Sequence, residues 1–174
     1  MDDAAPSIAL ADRLDDACIR GLAEVLVDCV DGGAGVHFVR PVSIEKAEAF
    51  WRRIASGVEV GTHAVIVAED EAGVVGTVQL ILDTPENQPH RADLAKMLVH
   101  RRARRRGLGT ALLQAAEQLA RRQGRTLLVL DTETGGDAER LYERHGWGRV
   151  GEIPDYAVGP DGDLVATTVL YKRL

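Results

Sequence analysis

Hydrophobic positions along the 174-residue chain switch repeatedly between a helical and a strand-like period. A short strand near Ser7–Leu10 opens it. Leu14, Cys18, Gly21, Leu22, Val25 and Cys29 then recur at helical spacing and stop at Asp31-Gly32-Gly33. Ser43 sits at the cap of a second helix running toward Gly57. Lys46 occupies its third position, so the cap is not a reciprocal capping box. His63–Glu69 and Val74–Leu82 are rich in β-branched residues and read as strands joined by the Glu71-Ala72-Gly73 turn. Asp83–Pro89 carries two prolines and Asn87, which exclude regular structure, and the loop is expected to last to Asp93. Leu94–Val99 reads as a strand. Leu108, Leu112, Ala115, Ala116 and Leu119 define a helix that Gly124 ends. Strand Thr126–Leu130, helix Asp137–His145 and strands Gly148–Glu152 and Leu164–Tyr171 complete the order, the last two flanking Gly159-Pro160-Asp161-Gly162. No repeat or linker interrupts the pattern, so residues 1–174 read as a single α/β domain with a mixed sheet.

Composition narrows the class. With 45% hydrophobic and 28% charged residues the chain is neither disordered nor fibrous. No apolar run approaches the ~18 residues that would span a bilayer, and the acidic start at Asp2 and Asp3 is unlike a signal peptide. The expectation is a cytoplasmic protein with no membrane partner. Cys18 and Cys29 lie three helical turns apart, too far to bridge. The histidines His37, His63, His90, His100 and His145 lack ligand spacing, so no metal is expected. A net charge of −6 argues against nucleic acid as a partner.

Positive charge is nonetheless concentrated: Arg101, Arg102, Arg104, Arg105 and Arg106 run directly into Gly107-Leu108-Gly109-Thr110 at a helix start. Free N–H groups of a first helical turn, with about half a positive charge from the helix dipole, make an anion cradle. Glycines let a ligand approach the backbone. A dinucleotide fingerprint would need Gly or Ala at Leu112, and no Gly-Lys-Ser/Thr of a P-loop occurs. Both standard nucleotide motifs are excluded, and a solvated arginine loop is the plain alternative.

What remains, Arg104-x-x-Gly107-x-Gly109, is followed about thirty residues later by Ala138-x-x-Leu141-Tyr142-x-x-x-Gly146-Trp147. In this order the two blocks resemble those of the GNAT superfamily of acetyl-CoA-dependent N-acetyltransferases. Trp147 stands where that family usually has Phe, Arg101 where Pro is common, and Gly135 where Asn is frequent. Val30-Asp31-Gly32-Gly33-Ala34, Val67-Ala68-Glu69-Asp70, Leu130-Asp131-Thr132-Glu133, Val150-Gly151-Glu152-Ile153-Pro154 and Pro160-Asp161-Gly162 further resemble the tabtoxin-resistance acetyltransferases, from about residue 30 onward.

The resemblance implies a mixed, mostly antiparallel central sheet flanked by about four helices. It implies acetyl-CoA as co-substrate, with its diphosphate held at Arg104, Arg105, Arg106, Gly107, Leu108, Gly109 and Thr110. The backbone of Met97, Leu98 and Val99 would hold the pantetheine and thioester, and Ala138 and Tyr142 would border the same arm. Tyr142 is implied as the acid for the leaving thiolate, and Asp131 and Asp93 as acids facing the acceptor, with Glu usual at the latter position. The plain alternatives are a packed Tyr142, a strand-capping Asp131 and a solvated Asp93. Glu133 and Glu152 are lesser candidates, and Trp51 and Trp147 are expected in the core.

Neutralising a lysine-like amine at pH 7 costs roughly 4–5 kcal/mol, and an α-amine only about 1. A carboxylate that pairs with the ammonium opposes its deprotonation, so one carboxylate is expected to bind and the other to accept the proton. No cysteine is expected near either block, which favours direct transfer over an acetyl-cysteine intermediate. Transfer to a primary amine of a small amino-acid-like, antibiotic-like or toxin-like molecule is the leading expectation. The Asp83–Asp93 loop and the Gly159–Gly162 turn would narrow its mouth. A protein or peptide acceptor and a non-catalytic acetyl-CoA-binding regulator are the alternatives. Because members of the family often dimerise, a homodimer is left open.

Overall fold

The computed structural model describes residues 5–174; Asp2 and Asp3, whose acidity bears on targeting, lie outside the described residues. Seven strands form one sheet in the order β1-β2-β3-β4-β5-β7-β6. They are β1 (Ser7–Leu10), β2 (His63–Asp70), β3 (Gly73–Ile81), β4 (Arg91–Val99), β5 (Leu127–Glu133), β6 (Gly148–Val158) and β7 (Leu164–Arg173). Every neighbouring pair is antiparallel except β4 with β5. Helices α1 (Asp16–Asp31) and α2 (Ile44–Glu59) cover one face, and α3 (Leu108–Arg122) and α4 (Asp137–Arg144) the other.

The two faces have separate cores because strand residues alternate. Leu22, Val25, Leu26 and Trp51 pack on Val65, Val67 and Leu98 on the first face. Leu112, Leu113, Ala116 and Leu119 pack on Val78, Leu80, Leu94, Leu128, Leu130 and Leu170 on the second. Trp51 and Trp147 are both core residues, and the Trp147 indole donates to the buried Glu117, which also binds Lys172. Ser43 caps α2 as expected, accepting from the Lys46 N–H, and Asp15 caps α1, accepting from the Cys18 N–H.

Three elements differ from expectation. β4 begins at Arg91, so Asp93 lies inside the strand instead of in a loop before it. β5 runs to Glu133 because β7 pairs with it as far as Glu133–Thr167, which puts Asp131 within the strand, not at its end. β6 continues from Gly148 to Val158, well past Glu152.

Candidate active site

β4 and β5 pair only through Arg91–Leu127, Ala92–Leu128 and Asp93–Val129, after which the register stops. Parallel neighbours that part in this way expose backbone donors on their facing edges. β4 also bulges: it steps from Ala95 to Leu98 while β3 steps from Gln79 to Thr77. The extra residue is Lys96, with φ +49°. Met97, Leu98 and Val99 therefore lie along the splay.

The carboxyl end of β4 turns through a 3-10 segment, Arg101–Ala103, into α3. Gly107 caps α3 with φ +79° and brings no side chain, so the N–H groups of Leu108, Gly109 and Thr110 have no side-chain cap. A left-handed residue here favours glycine. Gly109 also lets α4 approach: a Cβ there would meet Leu141 at 3.3 Å. Gly136 likewise begins α4 without a side-chain cap, placing Ala138 in the first turn of a second helix N-terminus.

The arginine run divides. Arg101 binds Asp28 at the end of α1 through Nε at 2.6 Å and its own N–H at 2.8 Å. Arg102 pairs with Asp70. Arg104 turns inward, Nε donating to the Val99 carbonyl at 2.9 Å, and its N–H meets Arg101 O at 3.4 Å. These three guanidinium groups fix the turn to α1, β2 and β4 instead of all facing a ligand. Arg105, with φ +60°, is exposed beside the cradle, as is Arg106. The Thr110 hydroxyl is 3.1 Å from His145 Nε2 and joins α3 to α4.

Tyr142 lies on the α3–α4 face, 4% exposed and tilted on Trp147 at 5.5 Å. Burial raises its phenol pKa well above the ordinary range, so it holds its proton. Asp131 lies on the opposite face, since its neighbour Leu130 points into the α3 core. It is exposed, and one oxygen accepts from Thr167 Oγ1 at 2.9 Å. Asp93 shares that face at the last paired position, where the Arg91 guanidinium meets its carboxylate. A buried phenol and an exposed carboxylate thus lie on opposite faces of the sheet.

The segment between α1 and α2 lies against the same face as Asp131. A Cβ on Gly35 would stand 2.5 Å from Glu133 Oε2, and His37 Nδ1 is 3.0 Å from Lys96 Nζ. Arg40 donates its N–H to Pro160 O and pairs with Asp161, so the Gly159–Gly162 turn docks on this segment. The loop before β4 is at the other end of these strands. It lies at the amino ends of β4 and β5, where the Thr126 N–H binds His90 O, at the closed end of the splay. Glu152 is on β6 and pairs with Arg149.

One cysteine does approach the first block: Cys29 Sγ is 3.5 Å from Val99 O and 3.7 Å from Arg104 Nη2. Burial raises its thiol pKa, which keeps it protonated and a poor nucleophile. Lys96 and His37 carried no sequence signal as site residues. Lys96 occupies a buried beat of an alternating strand, and only the bulge turns it toward the face that carries Asp131.

The Acetyltransferase (GNAT) domain model matches residues 61–148, from the start of β2 through α4, half of the chain. An uncharacterised N-acetyltransferase of the hisH-hisA intergenic region of Azospirillum brasilense is 30% identical over 122 residues, 69% of this chain and 71% of that protein. The chain belongs to the GNAT acetyltransferases. Human N-acetyltransferase 8 is 38% identical over 88 residues, a match spanning 49% of this chain and 39% of that protein's length. Among solved structures, a ribosomal-protein-alanine N-acetyltransferase from Brucella melitensis superposes with TM-score 0.79 at 24% identity, covering 97% of this chain and 99% of its own. The Salmonella typhimurium protein yncA, solved with its cofactor acetyl-CoA, superposes with TM-score 0.78 at 21% identity, covering 98% and 95%. The GNAT chain is thus an acetyl-CoA-dependent acyltransferase, and its splay and uncapped helix starts fit that co-substrate. Among the described residues no group of three or more His, Cys, Asp or Glu could hold a metal ion, and no helix is long and apolar enough to cross a membrane.

Proposed function

We propose that this GNAT domain, spanning the whole chain, acetylates the primary amine of a small amino-acid-like molecule by direct transfer in a ternary complex. The observation that carries this reading is the splay between β4 and β5, with Tyr142 in the core on one face of the sheet and Asp131 exposed on the other. When bound, acetyl-CoA supplies an activated acetyl group as a thioester. The N–H groups of Leu108, Gly109 and Thr110, with Arg105 and Arg106 beside them, would hold its diphosphate. Backbone donors along Met97–Val99 would hold the arm and polarise the thioester carbonyl, a contribution worth about 3–4 kcal/mol in a dry site.

Asp131 meets the acceptor's ammonium and receives its proton, and the amine nitrogen bonds the acetyl carbon on that face. The carbon–sulfur bond breaks toward the other face, where Tyr142 gives its proton to the leaving sulfur. Asp93 is the weaker candidate for base, because Arg91 already meets its charge. The small acceptor is supported by the Arg40–Asp161 pair and the Gly35–Glu133 approach, which draw the α1–α2 segment against the Gly159–Gly162 turn and the end of β5. The likeness to tabtoxin-resistance acetyltransferases supports the same substrate class.

A coenzyme A release assay across simple amines, free amino acids, a tabtoxinine-like β-lactam and N-terminal or lysine peptides tests this. Release with small amino-acid-like acceptors is expected to exceed that with peptides at least tenfold. Peptide preference would move the acceptor to polypeptide, and acetyl-CoA binding without any release would favour a regulator.

A further inference from the structure

Lys96 stands outside the machinery just described. It is one of three lysines in the chain and is 8% exposed. Its Nζ is 3.0 Å from His37 Nδ1 and 5.4 Å from the centre of the Phe50 ring, which in turn packs edge-on against Phe38. Neither partner is an anion, and among the described residues Lys96 makes no ion pair within 4.0 Å. A buried lysine ordinarily has its charge met by a carboxylate or phosphate.

The backbone has gone to some length to put the ammonium there. In an unbroken strand Lys96 would follow Leu94 into the α3 core. The bulge, with Lys96 at φ +49°, turns it to the face that carries Ala95, Asp93 and Asp131. Burial pushes the ammonium down to about 8, and the Asp131 carboxylate opposes the fall. The cationic Lys96 in turn is the first cause of a lowered His37 pKa, so His37 stays a neutral acceptor that orients the Nζ–H groups.

A cation on β4 and an exposed carboxylate on β5 thus share one face of the splay, in a rim closed by the segment that holds His37 and Phe38. We propose that Lys96, oriented by His37, binds the carboxylate of the acceptor while Asp131 meets its ammonium, so that the enzyme selects zwitterionic amino acids. A plain amine leaves Lys96 without its anion. A peptide amino terminus offers an amide in that position. This assignment rests on the acetyl-transfer reading for its consequence in turnover, but ligand binding at Lys96 can be read independently.

The test uses the twenty common L-amino acids and their α-amides as probes. With lysine 13Cε-labelled wild-type protein holding coenzyme A, the Lys96 signal is followed against pH by NMR. Its midpoint is expected to rise by at least one pH unit with a bound amino acid and to stay in place with the matching amide. In parallel, coenzyme A release is measured for wild type, Lys96→Met and Lys96→Arg with acetyl-CoA. The acid-over-amide ratio of kcat/KM is expected to fall at least tenfold in Lys96→Met, through KM for the acid, and to be partly restored in Lys96→Arg. A midpoint unmoved by all twenty amino acids, or an unchanged ratio in Lys96→Met, overturns the proposal. Absence of coenzyme A release with every acceptor would instead remove the acetyl-transfer reading, and the NMR titration would still decide the role of Lys96 even if Lys96→Met failed to fold.

Discussion

The same two strands behave oppositely at their two ends. At the amino ends β4 and β5 are paired, the Asp93 carboxylate is met by Arg91, and Arg91 Nε donates to Gln88 at 2.8 Å. Arg125 reaches three carbonyls there, Pro89, Arg91 and Leu82, between 2.5 and 3.3 Å. At the carboxyl ends the strands part, a helix begins without a side-chain cap, and a lysine is buried without an anion. The closed end meets most of its polar groups within the chain, the buried Arg125 Nε being an exception, and so contributes to stability. The open end leaves donors and charges for something other than the chain itself, and carries the cost of doing so.

The sharpest way to separate the ends is to remove a proton donor from the open one. Tyr142→Phe keeps the packing on Trp147 and deletes only the hydroxyl. General acid catalysis contributes about 10²–10⁴-fold. We expect kcat to fall about 10²-fold, with acetyl-CoA affinity by calorimetry changed less than twofold. Unchanged turnover would make Tyr142 a packing residue only.

The two aspartates give the direct contrast, one at each end. Asp131→Asn is expected to lower kcat/KM more than tenfold, because the amide cannot accept the acceptor's proton, while its contact with Thr167 Oγ1 can persist. Asp93→Asn, beside Arg91, is expected to lower kcat/KM less than about threefold and to destabilise by about 0.5–1 kcal/mol in urea melts. The reverse ranking would move the base to the closed end and invert the reading of both.

The fold was largely legible because alternation and helical spacing were strong: the cap residue Ser43 and the glycine-headed α3 lie where the pattern puts them. The uncapped start of α3 was legible for the same reason, since Gly107 and Gly109 mark it in the sequence. What stayed hidden depended on partners distant in sequence. Pairing to β7 extended β5 past Asp131, and the salt bridges from Arg101 and Arg102 to Asp28 and Asp70 turned part of an apparent ligand patch into scaffold. Lys96 was invisible because a bulge is set by register with β3, and a lysine on a buried beat reads as an exception to be ignored.

That hidden lysine gives the smallest effect, in stability instead of activity. The folded pKa of Lys96 is about 8 and the unfolded value 10.5. Between these values the unfolded chain holds a proton that the folded chain has lost, so this group makes the protein more stable as pH rises. Between pH 7.5 and 9 the gain is about 1 kcal/mol. Lys96→Met lacks that titration, so the wild-type unfolding free energy should rise relative to the variant by that amount across the window. Parallel denaturant melts of the two proteins read the difference, and the titrations common to both cancel. Curves that keep a constant separation from pH 7.5 to 9 would mean that Lys96 titrates alike in the folded and unfolded chains. The open end would then hold no uncompensated cation, and its contrast with the Asp93–Arg91 end would rest on backbone donors alone.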